Sequence, residues 1–545
     1  MNTKLYRLVF NKVRGMYVPI AEVNAVGRKK SGRRARHGMA ALFRLAGLSR
    51  AMLGAFGLAA IAPAFAQIVT DGREGPDVSK SASGVPLINI NAPNAQGLSH
   101  NKFKQFDTSN PGAVFNNSLV DGRSHIAGQV SKNPRLGDKM ATGILAEVTG
   151  TQSSRLQGTL EVFGGPSHLF IANPNGITAD GLSTYNATGL TLTSGRPWLN
   201  DGKMGFQVEG GRITVGAGGV NTDGLKTFDM IAKLIRVDGP VAHTGEGKGA
   251  ALLAVAGTGR FDAATGKRLS DDAGAGSAEA ASGYAIDGAA AGSMYGSSVM
   301  LVATDSGMGV RLPGSLSAPE NLFIDAAGNI TLGTARAGDV VLRAGESVDG
   351  RLVLATGQID AEAGRDLSLA TANGRNLALT AGKNLTVGAA ATSHGLQAKA
   401  GGDVWAGLLQ ADGGVDIDGV QRIEIKELQA DDGTARLRAG TDLNIGYLQL
   451  GPAESAAGAS ASPPATSAKP AASGTEVLLQ AGRGSIKLDQ ASLTAGRSLK
   501  VAAGEDLLLG DLAIAEKLTA LAGKGIAINN LRADGAVLKA GETPP

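Results

Sequence analysis

Apolar residues along this chain come in short runs, with Asn, Gly and Pro clustered between them. Pro86-Leu87-Ile88-Asn89-Ile90 and Gly189-Leu190-Thr191-Leu192-Thr193 are brief apolar strands of this kind, bounded by turn residues. Few stretches keep the helical period of about 3.6 residues over the dozen positions a helix needs. The strand spacing is short and fairly regular, which favours a sandwich, a barrel or a solenoid of strands. The sharpest punctuation lies between Leu160 and Ile177, where two apolar runs flank Gly164-Gly165-Pro166 and the second ends in Asn173-Pro174-Asn175-Gly176-Ile177. Pro174 presets φ at about −65° in the second position of a turn, and Asn175 and Gly176 tolerate the positive φ that can follow. A buried strand therefore stops there and the chain turns a corner. Asn133-Pro134-Arg135-Leu136 predicts an earlier corner of the same kind.

From residue 315 a phrase recurs: Ala-Gly, two polar residues, then an apolar-x-apolar strand. It stands at Ala363-Gly364-Arg365-Asp366-Leu367, Ala381-Gly382-Lys383-Asn384-Leu385, Ala400-Gly401-Gly402-Asp403-Val404 and Ala439-Gly440-Thr441-Asp442-Leu443. It returns at Ala503-Gly504-Glu505-Asp506-Leu507 and Ala522-Gly523-Lys524-Gly525-Ile526. Gly364 to Gly382 is 18 residues and Gly382 to Gly401 is 19, a period that marks a solenoid. The leucine-rich repeat shares it, but the Leu-x-x-Leu-x-Leu frame is missing, so a parallel β-helix is the better reading. Roughly eleven rungs at ~4.8 Å each would extend on the order of 50 Å. Small Ala and Gly at the corners let rungs stack closely. The Ala/Ser/Pro tract 453–473 cannot form a rung and reads as a flexible insert. Gly245 to Gly292, poor in large apolar residues, reads as extended surface loops.

Composition changes the picture in two places. The chain has 545 residues, 80 of them Gly, with aromatics at 4% and no cysteine, so it uses no disulfides or thiolate metal sites and relies on packing and hydrogen bonds. The formal charge of +4 conceals an asymmetry: residues 1–66 hold 12 Lys/Arg and one Asp/Glu, a net of +11, which leaves about −7 for the rest. That removes most of the support for a nucleic-acid partner. The leader has a basic region, Arg28-Lys29-Lys30 and Arg33-Arg34-Ala35-Arg36, an apolar run from Ala51 to Ala62, and the small-x-small pattern Ala64-Phe65-Ala66. This is a secretory signal peptide cleaved before Gln67; its apolar run is shorter than the ~20 residues of a spanning helix.

Several motifs occur in a fixed order: Ser99-His100-Asn101-Lys102-Phe103, Val114-Phe115-Asn116-Asn117, Ile144-Leu145-Ala146-Glu147-Val148 and Asn173-Pro174-Asn175-Gly176-Ile177. Together they resemble the secretion domain of filamentous haemagglutinin-type exoproteins, the large partners of two-partner secretion systems. The segment Met1 to Gly15 resembles their extended signal-peptide region. The resemblance implies an all-β chain: a right-handed, single-stranded parallel β-helix with an N-terminal cap, preceded by an extended signal peptide. It divides the chain into a leader, 1–66, a secretion domain, 67–314, and β-helix repeats, 315–545. It implies as partner an outer-membrane TpsB-type transporter with periplasmic POTRA domains, which read exposed strand edges, and a host cell surface or its glycans if the protein is an adhesin. The first Asn-Pro motif departs from the family's usual Asn-Pro-Asn-Leu, since Arg135 holds the third place. Asn116, Asn117, Asn173 and Asn175 are expected to hydrogen-bond backbone groups that the corners leave unpaired. Whether they also touch the transporter stays open at this level.

The histidines His37, His100, His125, His168, His243 and His394 are scattered without metal-ligand spacing, and neither a nucleophile elbow nor a phosphate-binding glycine loop is present. Asp271-Asp272 and Asp431-Asp432 read as solvated turn residues. No catalytic, metal or cofactor site is therefore expected. The leading function is a secreted adhesin or its N-terminal portion. The alternatives are the stalk of a contact-dependent growth-inhibition toxin without its toxin domain, and a β-helix polysaccharide lyase. The chain stops just after Ala540-Gly541, so a short paralogue and a piece of a longer protein both fit, and a bare last rung predicts self-association.

Overall fold

The computed structural model describes residues 6–11, 16–21, 67–200, 202–245, 249–270, 283–431, 434–451, 475–494 and 496–541. The chain divides into two compact units, Met1–Pro63 and Ala64–Pro545. In the first, strands Tyr6–Asn11 and Met16–Ala21 pair antiparallel, Tyr6 opposite Ala21. Ala64, Ala66 and the insert 453–473 lie outside the described residues.

The second unit is a parallel β-helix. Its main sheet has 37 strands and winds over three faces. The first face runs from Leu98–Phe106 through Gly143–Val148, Ser167–Ala172, Ala187–Thr193 and Thr227–Ala232, and on to Gly535–Ala540, each strand parallel to the next. The reason lies in how burial tracks the chain. In Val404–Ala411, Val404, Ala406, Leu409 and Ala411 point inward, while Trp405, Gly407, Leu408 and Gln410 point outward. Period-two alternation holds along each face, and two successive outward residues, Gly407 and Leu408, mark the bend to the next. The interior is a continuous stack of Leu, Ile, Val and Ala. Large rings gather near the cap, where Phe106 lies 5.0 Å from Phe103 and 5.8 Å from Phe115 between ring centroids.

The recurring phrase has two physical causes. A Cβ on Gly382 would come within 2.1 Å of the Gly364 carbonyl oxygen one rung below, and one on Gly401 within 2.2 Å of that of Gly382. Rungs can therefore stack at hydrogen-bonding distance here because the corner has no side chain, although Ala327 and Val420 hold the place on two rungs. The polar residue two places later closes the corner. The Asp366 carboxylate accepts from Asn384 N–H (3.2 Å), Asn384 Oδ1 from Asp403 N–H (3.1 Å), and the Asp403 carboxylate from Arg422 N–H (3.0 Å). Across the insert, Asp442, Ser485 and Asp506 continue this ladder. Each side chain pairs a backbone donor that the bend would leave without a partner.

At the N-terminal end, Ile68–Thr70 pairs antiparallel with Leu98–Phe106, and Asp77–Lys80 with Pro86–Asn89. These strands cover the edge that the first rung would otherwise expose. Reading 245–292 as surface loops needs correction. It contains a core rung, Ala251–Ala256, and two strands of a separate antiparallel sheet formed by Arg196–Asn200, Lys203–Val208, Gly259–Asp262 and Arg268–Ser270. That sheet buries Phe206, Val208 and Phe261 against Ile231 and Val255 on the outer side of the first face. Small residues dominated the composition and hid these few anchors, which act only once rungs distant in sequence are stacked.

Candidate functional site

The two Asn-Pro corners are built alike. Asn133 is 3% exposed and Asn173 0%, and each accepts through Oδ1 from the backbone N–H two residues on: Arg135 at 2.9 Å and Asn175 at 3.0 Å. Each donates its amide to the rung beside it. Asn133 Nδ2 reaches the carbonyls of Ile90 (2.9 Å) and Asn116 (2.8 Å), and Asn173 Nδ2 reaches Gln152 O (2.9 Å) and Ser154 Oγ (3.0 Å). Leu136 and Ile177 then enter the core. Pro134 and Pro174 lie nearer the surface, where a missing N–H leaves no gap in a ladder. Gly176 has φ +106°, and a Cβ there would meet Arg212 O at 2.7 Å; the corner needs glycine on both counts.

The third position separates the two corners. Asn175 donates to Gly150 O at 2.8 Å. Arg135 reaches further: its guanidinium bonds Asp77 Oδ1 at 2.9 Å and Asn91 Oδ1 at 2.5 Å. The departure from the usual motif thus exchanges a short amide bridge for a tie to the cap.

Asn116 and Asn117 lie in Gly112–Asn117, a strand buried at every position. Asn116 Nδ2 donates to Asn89 Oδ1 (2.8 Å) and Ser131 O (2.9 Å). Asn117 accepts from Ala141 N–H at 2.7 Å and donates to Ala141 O, Gly165 O and Ser167 Oγ at 2.9, 2.7 and 2.9 Å. Asn101, in the first motif, accepts from Asn91 N–H at 2.9 Å. The bonding capacity of these amides is spent inside the fold. Gln67, the expected first residue after leader removal, is exposed, and its carbonyl accepts from Asp107 N–H at 3.0 Å.

Three groups escaped the sequence reading. Glu161, 2% exposed, accepts from Ser124 Oγ (2.7 Å), His125 N–H (2.7 Å) and Ile126 N–H (2.9 Å). It holds the hairpin Gly122–Ser124/Gly128–Val130 on the solenoid. His168, half-buried, and Thr191 and Asp229, both buried, form a line on the outer side of the first face. Thr191 donates to Asp229 at 3.1 Å and His168 Nε2 lies 2.8 Å from Thr191 Oγ1, so Nε2 carries the proton. Burial lowers the His168 pKa to about 4 and raises that of Asp229 to about 6. Asn186 has φ +59° without being glycine, and its amide donates to Val162 O at 2.8 Å and Gly164 O at 3.0 Å. Only the alternating pattern around Glu161 hinted at an acid on a buried strand.

Comparison with known proteins identifies two segments of the chain. Residues 66–332 match the TPS secretion domain and residues 1–50 the extended signal peptide of type V secretion systems. The chain is 47% identical over 371 residues to "Filamentous hemagglutinin" of Bordetella pertussis, covering 66% of this chain and 10% of that protein. It is 35% identical over 325 residues to "Toxin CdiA" of Yersinia pestis, covering 58% and 10%, and 36% identical over 279 residues to "Hemolysin" of Serratia marcescens, covering 49% and 17%. A crystal structure of the filamentous hemagglutinin secretion domain aligns with a TM-score of 0.46 at 40% identity, over 65% of this chain and 99% of that one. The chain spans about a tenth of the length of the first two of these relatives. Extended signal peptide and secretion domain together mark a secreted protein exported by the two-partner route, and the chain belongs to the filamentous haemagglutinin-like exoproteins of two-partner secretion.

Proposed function

We propose that this chain is the N-terminal portion of a secreted adhesin, exported through an outer-membrane transporter whose periplasmic POTRA domains recognise residues 67–314. Residues 315–545 then form the first part of a stalk that carries binding surface away from the cell. The observation that carries the reading is the 47% identity to filamentous hemagglutinin over 371 residues, a longer stretch than the secretion-domain match at 66–332. The role is one of adhesion without catalysis, and the leader is removed between Ala66 and Gln67. The asparagine corners serve export through folding: a chain that crosses the outer membrane extended is kept outside once its rungs close.

The test is export from a two-membrane bacterium with and without a matching transporter, followed by binding of the exported chain to host cells. A chain beginning at Gln67 is expected in the medium only with the transporter. Asn173→Ala leaves Gln152 O and Ser154 without their donor and the Asn175 N–H unpaired, about 1–3 kcal/mol of lost closure, and its extracellular yield should fall several-fold. Unchanged yield would show that the corner plays no part in export. The second reading, a growth-inhibition stalk, is favoured by the 35% identity to Toxin CdiA; contact-dependent killing of neighbouring bacteria, with no host-cell binding, would select it.

A further inference from the structure

The antiparallel sheet over the first face leaves its own apolar cluster open on one side. Phe206, Val208 and Phe261 close against Ile231 and Val255, but Phe170 and Met204 at the margin of that cluster stay half-buried. Beyond them lies a pocket of about 400 Å³, between the turn that joins Arg196–Asn200 to Lys203–Val208 and the face strands Leu98–Phe106, Gly143–Val148 and Ser167–Ala172. Leu98, Phe170, Leu199 and Met204 give it an apolar lining, and Leu199 is 49% exposed.

The register builds the floor. Leu98, Gly143 and His168 stand in one line along the axis, and the Phe170 ring stacks on His168 with centroids 4.2 Å apart. A Cβ on Gly143 would meet only side-chain atoms, of Leu98 at 3.2 Å and of Phe170 at 3.5 Å. Stacking of rungs therefore does not demand glycine there, as it does at Gly382. What the missing side chain provides is a gap between two apolar groups.

The charge around this gap has one sign. Lys203 is exposed and is the one Lys or Arg of the lining, which holds no Asp or Glu among the described residues. His168 adds no charge at neutral pH, since burial lowers its pKa to about 4. Residues 196–208 and 259–270, which form the overlying sheet and its turns, carry five Lys/Arg and two Asp, a net of +3, whereas the chain outside the leader has a net of about −7. Leu269 is 48% exposed on that sheet. The Trp198 ring lies over Gly205, where a Cβ would collide with it, and the Arg260 guanidinium sits 4.6 Å from the ring centroid. Exposed leucines, a tryptophan and cations together are the residues that favour a membrane–water interface.

We infer that this pocket takes one acyl chain of an anionic phospholipid from a membrane surface, with Lys203 on the phosphate and Leu98, Phe170, Leu199 and Met204 around the chain. The volume lies in the range of small-molecule sites. One buried acyl chain holds a surface only weakly, and a basic patch beside it supplies the second attraction that stable attachment needs. The acidic remainder of the chain opposes general attraction to an anionic surface, so contact is confined to this sheet. The inference goes beyond the adhesin reading and does not depend on it, because the site lies within the secretion domain.

The experiment is calorimetric titration of the exported full chain with dihexanoyl phosphatidylglycerol below its micellar concentration. Glycerol 3-phosphate, which keeps the charge without the chains, is titrated beside it. The lipid is expected to bind and glycerol 3-phosphate to give no heat. Lys203→Ala should weaken the lipid about fivefold and Leu199→Asp about tenfold. Both positions are exposed, so thermal melts should match the parent. Leu508→Asp, at a leucine 48% exposed in the repeats, is the control and should bind as the parent does. Co-sedimentation with phosphatidylcholine vesicles containing phosphatidylglycerol should follow the same order, and vesicles of phosphatidylcholine alone should retain several-fold less protein. No heat with the lipid, equal binding of glycerol 3-phosphate, affinity indifferent to Leu199→Asp, an equal loss in Leu508→Asp, or no preference between the two vesicles would each overturn the proposal.

Discussion

Glu161→Ala is expected to release the hairpin Gly122–Ser124/Gly128–Val130 from the solenoid. The carboxylate is buried and accepts three hydrogen bonds, from Ser124 Oγ and the backbone N–H groups of His125 and Ile126. Removing it leaves these donors facing a cavity, at about 1–3 kcal/mol for each one left unpaired. The hairpin also seats Ala127 and Val130 against Val85, Val114 and Phe163, so its detachment uncovers apolar surface beside the strand Gly112–Asn117. A loss of at least ~3 kcal/mol in local stability follows. It would be seen as faster amide exchange over 122–130 and new protease cleavage at Arg123. Glu161→Gln keeps one acceptor and should fall between parent and alanine variant. Exchange in Glu161→Ala that matches the parent would mean the hairpin is held by its apolar contacts alone.

The second large effect concerns pH. Asp229 has a folded pKa of about 6 against 3.8 for the ordinary carboxyl, because burial disfavours its charge. Over that interval the folded state holds a proton that the unfolded state has released, so this group adds stability as pH falls from about 6 towards 3.8. His168 acts oppositely. Its folded pKa is about 4 against 6.5, again through burial, so the unfolded state takes the proton first and stability is lost as pH falls from 6.5 towards 4. In the shared window the two contributions offset. Each is worth ~1.4 kcal/mol per pH unit, so removing one exposes the other. Relative to the parent, Asp229→Asn should lose stability on acidification by roughly 2–3 kcal/mol in total, and His168→Gln should gain a similar amount. Urea melts between neutral pH and about pH 4.5 check both. Variants whose pH dependence runs parallel to the parent would refute the assignment.

These groups show where legibility ended. Gly382, Gly401, Asp366 and Asn384 could be read from the chain because they act on the adjacent rung, and a period close to 20 residues brings each against its own counterpart. Asn133 and Asn173 were likewise visible, since an Asn-Pro turn is local chemistry. Glu161 meets its donors some 35 residues earlier in the chain, and the strand alternation around it does not say what covers its outward side. The antiparallel sheet over Ile231 and Val255 was missed for a related reason. Its strands come from two separate excursions, and neither shows a burial pattern until they meet.

What the sequence determined by itself was the class of architecture, the corners and the route out of the cell, because repeat period, turn residues and leader are all written in short stretches of chain. What only the tertiary structure decided was the use of the outward faces: which acids are answered and which rungs are roofed. Outward residues are free of the stacking constraint that makes the interior predictable. Their partners are set by the register between rungs, which exists only once the helix has closed.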